Sequence, residues 1–350
     1  MKKFMFFASL IGVIILGFHG CKSAEETGGN IHLQQRRYDR AIEQYKAALE
    51  NSPNSIGPMV AIATANYMKK DYKEAVVYLD KALGINKEGA EGKIKEYEDL
   101  LNTKYLKWQI YYNGAVQYFE DDLEKALELA EKSLDVEDQE KVSLSYSLMA
   151  KMMLNNKKYA EARELYTKAI EADEDNVEPY LFLGHYYLNE NKSEEALKYF
   201  NKALEIDSTK IEVYELIGQA YLVDKKYDEA TKALEKAVSI SGKNPTSLYN
   251  LMLAYYEAKL YDQAIDKGKE VLTMEDAEDQ VLIKVYNLMG QIYKDKKDYK
   301  TAIAVMKEAI DKGTNDCFAY SIIAFSYNQL GNRSAASSWA NKYEECEKNQ

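Results

Sequence analysis

Val177 to Lys210, VEPYLFLGHYYLNENKSEEALKYFNKALEIDSTK, holds two helical periods separated by a polar break. Tyr180, Leu183, Gly184, Tyr187 and Leu188 recur at i, i+3, i+4, i+7 and i+8, and Ala196, Phe200, Ala203 and Leu204 take up that spacing after the break. The two stripes predict a pair of antiparallel helices. Gly184 and Ala196 are small where the two helices must approach closely, and Ala203 is small where the second helix meets the next unit. A hairpin of this size cannot bury its stripe alone, so it requires neighbours of its own kind.

The chain supplies them. Alanines equivalent to Ala196 stand at Ala41, Ala75, Ala126, Ala162, Ala230, Ala264, Ala302 and Ala336, with a dominant separation of 34 residues. Seven residues after each lie Ala48, Ala82, Ser133, Ala169, Ala203, Ala237, Val271, Ala309 and Tyr343. Twelve before each lie Gly29, Ala63, Gly114, Ala150, Gly184, Gly218, Met252, Gly290 and Ala324. Three columns of small residues, broken at Ser133, Met252, Val271 and Tyr343, resemble the tetratricopeptide repeat (TPR), which is small at its eighth place and alanine at its twentieth and twenty-seventh. The resemblance runs from about Gln34 to the C-terminus. It implies an all-α, right-handed α-solenoid of TPR helix hairpins that works by protein–protein contact. Independently, 4 Pro and 17 Gly in 350 residues, with abundant Ala, Leu, Glu and Lys, favour helix and leave little material for β turns.

Residues 1–21 differ from the rest. Lys2 and Lys3 precede an uncharged run from Phe4 to Phe18, the length of a signal-peptide apolar segment and short for a membrane span. The run ends at Cys21, before polar sequence, and resembles a bacterial lipoprotein signal. That resemblance implies cleavage before Cys21 and lipidation of its thiol, although Phe18 stands where leucine is usual and His19 where a small residue is usual. Secretion with Cys21 incidental, or an uncleaved anchor, are the other readings. Residues 22–30 read as a flexible tether through Gly28 and Gly29, and 31–350 as the solenoid. It opens with a half repeat at 31–55 that has only its second helix firm, with Asn30 as N-cap. Full repeats from 56 begin near Ile56, Lys107, Ser143, Val177, Ile211, Pro245, Ile283 and Cys317. The spacing of 51 between Ala75 and Ala126 marks an insertion at about 90–106, approached through Gly84, Gly89 and Gly92. In it Ile94, Tyr97, Leu100 and Leu101 keep helical spacing, so the sequence predicts an extension of the following helix, serving as spacer or partner site.

The formal charge is −11, and about −13 without Lys2 and Lys3, which argues against nucleic acid because phosphate affinity needs a basic face. Beyond the leader only His32 and His185 remain, and no His or Cys pair has metal-ligand spacing, so no metal or cofactor is expected. No nucleophile elbow, Walker loop or dinucleotide fingerprint occurs, and Glu194-Glu195 sits at a helix start where capping accounts for it. The chain reads as a non-enzyme.

In the family that the repeats resemble, the first helix of each hairpin lines the ligand-facing surface. Carrying its usual contact places over implicates Trp108, Tyr111, Tyr112 and Tyr118 beside the insertion, then Phe182, His185 and Gln219. Tyr249, Asn250, Tyr256, Asn287 and Gln291 follow. Aromatic faces among amides suit an extended peptide, though any one ring is as well suited to fill space between repeats. Glu212, Glu215 and Leu216 stand where the family's clamp on a C-terminal carboxylate needs donors, so that mode is not implied. Cys317 and Cys346 fall at opposite ends of one hairpin and either form a disulfide or stay free. The expectation is an envelope-anchored TPR scaffold or adaptor that binds a protein or extended peptide and reaches a membrane through Cys21. The alternative is a carbohydrate-binding or accessory subunit of an envelope enzyme or secretion system.

Overall fold

The computed structural model describes residues 23–242, 244–313 and 317–349, so the expected signal segment at 1–21, with Cys21, lies outside the described residues. Those residues form nineteen α-helices and no strand. The chain divides into two compact units at Met152–Met153, inside the eighth helix. The first unit holds α1 (Ala24–Gln34), α2 (Tyr38–Asn51), α3 (Ile56–Met68), α4 (Tyr72–Ile85), α5 (Lys87–Leu101), α6 (Leu106–Tyr118), α7 (Leu123–Lys132) and most of α8 (Gln139–Asn155). The second holds α9 (Tyr159–Ala172), α10 (Val177–Asn189), α11 (Ser193–Ile206), α12 (Ile211–Val223), α13 (Tyr227–Ser241) and α14 (Pro245–Glu257). It continues with α15 (Tyr261–Leu272), α16 (Asp279–Asp295), α17 (Tyr299–Asp311), α18 (Cys317–Gln329) and α19 (Arg333–Lys348). Five of the eight expected repeat starts, Ile56, Val177, Ile211, Pro245 and Cys317, are the first residues of their helices.

The turn inside most hairpins follows one design, from which the turn between α6 and α7 departs by having no left-handed residue. In the turn between α12 and α13, Lys225 takes a left-handed conformation at φ 57°, Lys226 N–H donates to the Tyr221 carbonyl at 2.8 Å, and Lys225 N–H donates to the Leu222 carbonyl at 3.0 Å. This closes the helix end and reverses the chain in two residues. Arg36, Lys70, Asn191, Lys259 and Lys297 hold the same conformation at the equivalent place, whereas Gly331 meets it without a Cβ. Asp228 and Glu229 then begin α13, where the exposed amides favour negative charge.

Between the helices of a hairpin the fit is steric. The Ala196 column is fully buried from Ala41 to Ala302. At Gly184 an added Cβ would lie 2.3 Å from the Phe200 ring, and at Gly29 2.4 Å from the Tyr45 ring. Large and small thus face each other sixteen residues apart. At Met252 the assignment is reversed: Met252 is the large partner, and Gly268, sixteen residues on, is the small one, where a Cβ would meet Met252 Sδ at 3.1 Å. The break in the small-residue column is therefore a size exchange, and the junction stays packed. Ser133 is also buried, with its Oγ donating to the Ala130 carbonyl at 2.6 Å. Tyr343 lies on α19, which has no buried residue at all.

Two expectations fail in the first unit. Residues 24–34 are helical, so neither the tether at 22–30 nor the half repeat at 31–55 describes them. Ser23 and Glu26 form a reciprocal capping box, and Gly29 and Leu33 bury the helix against α2. The insertion, likewise, is a helix of its own and does not extend α6. Asn102 and Tyr105 both turn left-handed between them, and Glu98 Oε1 accepts the Leu106 N–H at 2.6 Å, capping α6 from the preceding helix. Gly84, Gly89 and Gly92 sit inside α4 and α5 and do not loosen the chain there.

Candidate peptide-binding face

In the second unit the inward stripe of α12 is Val213, Leu216, Ile217 and Ala220. The same helix carries Glu212, Glu215, Gln219 and Leu222 on an adjoining face at steps of three and four. That face borders a cavity of about 230 Å³, which His185 of α10 and Asn250 and Leu253 of α14 complete, with Leu216 and Leu234 as part of its lining. Three residues implicated by the sequence, His185, Gln219 and Asn250, therefore converge on one cavity. Glu215 Oε1 accepts the Ser247 hydroxyl at 2.7 Å, which ties α12 to α14. The His185 ring stands edge-on to Phe200, 6.0 Å between centroids. The glutamates and leucines of the lining were absent from the expected site. Their signal was present in the sequence, since Glu212 and Glu215 occupied clamp places with the wrong charge for a carboxylate.

The other expected contacts in this unit serve packing or hydrogen-bond networks. Phe182 stacks on Tyr166 at 4.5 Å, and the Tyr166 hydroxyl donates to Glu178 at 3.2 Å. Tyr249 packs on the core around Leu248 and Met252, with Lys284 Nζ 5.9 Å from its ring centre, and burial raises its phenol pKa. The Tyr256 hydroxyl and Gln291 Nε2 both donate to Asp295, at 3.0 and 2.8 Å. Burial, then the Asp295 carboxylate, push the Tyr256 phenol up to about 12, so it remains a donor at neutral pH. Asn287 lies on α16, away from the cavity lining.

In the first unit the corresponding rings are committed elsewhere. Tyr111 is 3% exposed and its hydroxyl donates to Asp80 at 2.7 Å, so it belongs to the core and is removed from the site. Burial is also the main reason its phenol pKa is raised. Trp108 Nε1 donates to Ser145 Oγ at 3.0 Å, and its ring stacks on Tyr112 at 4.7 Å, which holds α6 to α8. Tyr118 carries Lys73 Nζ 4.6 Å over its ring. The face of α1 and α3 is covered by the inserted helix: every residue from Pro58 to Asn66 of α3 is buried, and the Tyr97 hydroxyl of α5 donates to Asn30 of α1 at 3.1 Å. The insertion fills a groove that the second unit leaves open.

Cys317 and Cys346 are disulfide-bonded, Cα atoms 5.7 Å apart, joining the start of α18 to the end of α19. Among the described residues no group of three or more His, Cys, Asp or Glu is placed to hold a metal ion, and no helix is long and apolar enough to cross a membrane.

A paired-helix array with a recessed face defines a binding module, and comparison places the class. Tetratricopeptide-repeat family models match residues 27–90, 145–176 and 283–311. A model described as the tetratricopeptide repeat protein 21 C-terminal ARM domain matches 170–282. The chain is a tetratricopeptide-repeat protein, of a class that works by protein–protein interaction. No curated protein matches it. Among solved structures, the C-terminal part of a TPR repeat-containing protein from Cytophaga hutchinsonii is 19% identical, with a TM-score of 0.55 over 75% of this chain and 98% of that one. PilF of Pseudomonas aeruginosa is 18% identical, with a TM-score of 0.46 over 61% and 99%. YrrB, a TPR protein with an unusual peptide-binding site, is 22% identical, with a TM-score of 0.42 over 53% and 93%. At 19% identity the likeness to the Cytophaga hutchinsonii protein supports the fold alone.

Proposed function

We propose that this protein is a non-catalytic scaffold or adaptor of a bacterial envelope, holding an extended segment of a partner protein on the face built by α10, α12 and α14. The observation that carries this reading is the convergence of His185, Gln219 and Asn250, from three successive first helices, on one open cavity. Amide side chains beside leucines meet the two needs of an extended peptide, partners for its backbone and pockets for its side chains. A photo-crosslinking residue at Gln219 is expected to capture a discrete partner in cells, whereas one at Lys236, exposed on α13, captures none. Equal yields at both positions overturn the assignment of the face. Among the described residues no phenylalanine, tyrosine or tryptophan lines the cavity, so the broad rings on which a carbohydrate site stacks a sugar are not part of it.

The anchor is proposed on the leader: two lysines, an uncharged run and Cys21 at its boundary. A disulfide at Cys317–Cys346 accords with an oxidising compartment. Metabolic labelling with a fatty acid tests the anchor, and label that persists after Cys21→Ser rejects it.

A further inference from the structure

We infer that the cavity between α10, α12 and α14 receives a cationic side chain, the lysine or arginine of an extended peptide; this rests on the reading of that face as a peptide groove. Charge supplies the first argument. Glu212 and Glu215 border the cavity and, among the described residues, no lysine or arginine does, so an acidic segment would bring its charge against two carboxylates without a compensating cation from the lining. The bond from Ser247 fixes one of those carboxylates in place before any ligand arrives, which lowers the ordering cost of binding.

Shape supplies the second, independent argument. Leu216, Leu222 and Leu253 give the cavity apolar walls, and at about 230 Å³ it is smaller than the roughly 300–1,000 Å³ of a site for a drug-sized ligand. A single long side chain suits this combination. The methylene stem of lysine or arginine buries against leucine while its charged end reaches polar groups at the rim. Asn250 and Gln219 then stand beside the pocket, where a peptide backbone needs amide partners. The net charge of −11 favours approach of a basic segment over an acidic one.

The test uses the full chain, purified in detergent, against a display library of random nine-residue peptides. Selected peptides are expected to share a lysine or arginine at one fixed position. Replacing that residue by neutral citrulline or norleucine is expected to weaken binding to the unmodified protein about tenfold, the loss of one charge-assisted contact. Against Glu212→Gln/Glu215→Gln the same replacement is expected to change affinity less than about twofold, because the charge it removes has no counterpart left. Should the double variant lose its helical circular dichroism, Glu212→Lys alone, on an exposed side chain, reads the same coupling. Peptides selected without a basic preference, or an equal loss against both proteins, overturn the inference and leave the groove standing. Recovery of no peptide at all overturns the groove as well.

Discussion

Met252 and Gly268 put the smallest features of the sequence to work. In three other hairpins of the second unit the first helix supplies glycine and the second a bulky partner, Gly184 with Phe200, Gly218 with Leu234 and Gly290 with Met306; here the roles are exchanged over the same sixteen-residue interval. In the sequence Met252 read only as a break in a column, because the compensating residue is in another helix and a column shows one side of a contact. Gly268→Leu is expected to cost about 1–3 kcal/mol by overpacking, and Met252→Gly/Gly268→Leu to recover at least half of it. Urea unfolding of the unmodified protein, Met252→Gly, Gly268→Leu and the double variant measures this. Simple additivity of the two losses would show that the pair is not a packing unit. Tyr111 failed as a site residue for a related reason. Tyr111 and Tyr112 are neighbours in the chain but about 100° apart around a helix, so transferring family contact places one residue at a time cannot tell the core side from the open side. Burial decided it.

At the scale of the element, the repeated hairpins were legible because each combines a helical stripe, small contact residues and a turn at a fixed interval. The turn itself is costlier than it needs to be. Lys225 holds a left-handed conformation that glycine adopts freely, and Gly331 shows the same turn made with glycine. Lys225→Gly is therefore expected to raise stability by up to about 1 kcal/mol, and Gly331→Ala to lower it by a similar amount. Melting temperatures that move in any other order would reject the assignment of strain. Where the design departs from repetition, legibility fell. The first helix has no apolar stripe because Gly29 and Leu33 carry its burial, yet Ser23 and Glu26 spelled its capping box. The inserted helix was visible in Ile94 and Tyr97, but its separation from α6 rests on Asn102 and Tyr105 turning left-handed without a glycine to announce it. Both helices meet at Asn30, whose Oδ1 accepts from buried Tyr45 at 2.7 Å and from Tyr97 at 3.1 Å. Asn30→Ala leaves two phenols without that acceptor and is expected to cost about 1–3 kcal/mol. Hydrogen exchange should quicken in α1 and α5 together; a change confined to α1 would mean the two are not coupled through this residue.

For the molecule, the chain-order logic of a repeat array sets how far a disturbance travels. Each hairpin gains most of its stability from its own packing and from its immediate neighbours, so a local loss need not propagate. Within the second unit α19 has no buried residue, while α18 packs inward through Ala319, Ile322 and Ile323 around Met306. The last hairpin thus depends on its partner helix and on the Cys317–Cys346 bridge, which closes a segment of sequence separation 29 across its open end. A loop of that length corresponds to about 3–4 kcal/mol of unfolded-state restraint in the chain-entropy account. Reduction is expected to speed hydrogen exchange through α18 and α19 by a hundredfold or more, since each 1.4 kcal/mol is a factor of ten. Exchange in α10, α12 and α14 is expected to stay unchanged, and with it the affinity of the groove for its peptides. Cys317→Ser/Cys346→Ser should reproduce the reduced pattern and be insensitive to reductant. If reduction instead loosens α10 to α14 equally, the second unit unfolds as one cooperative body, and the disulfide supports the binding face itself.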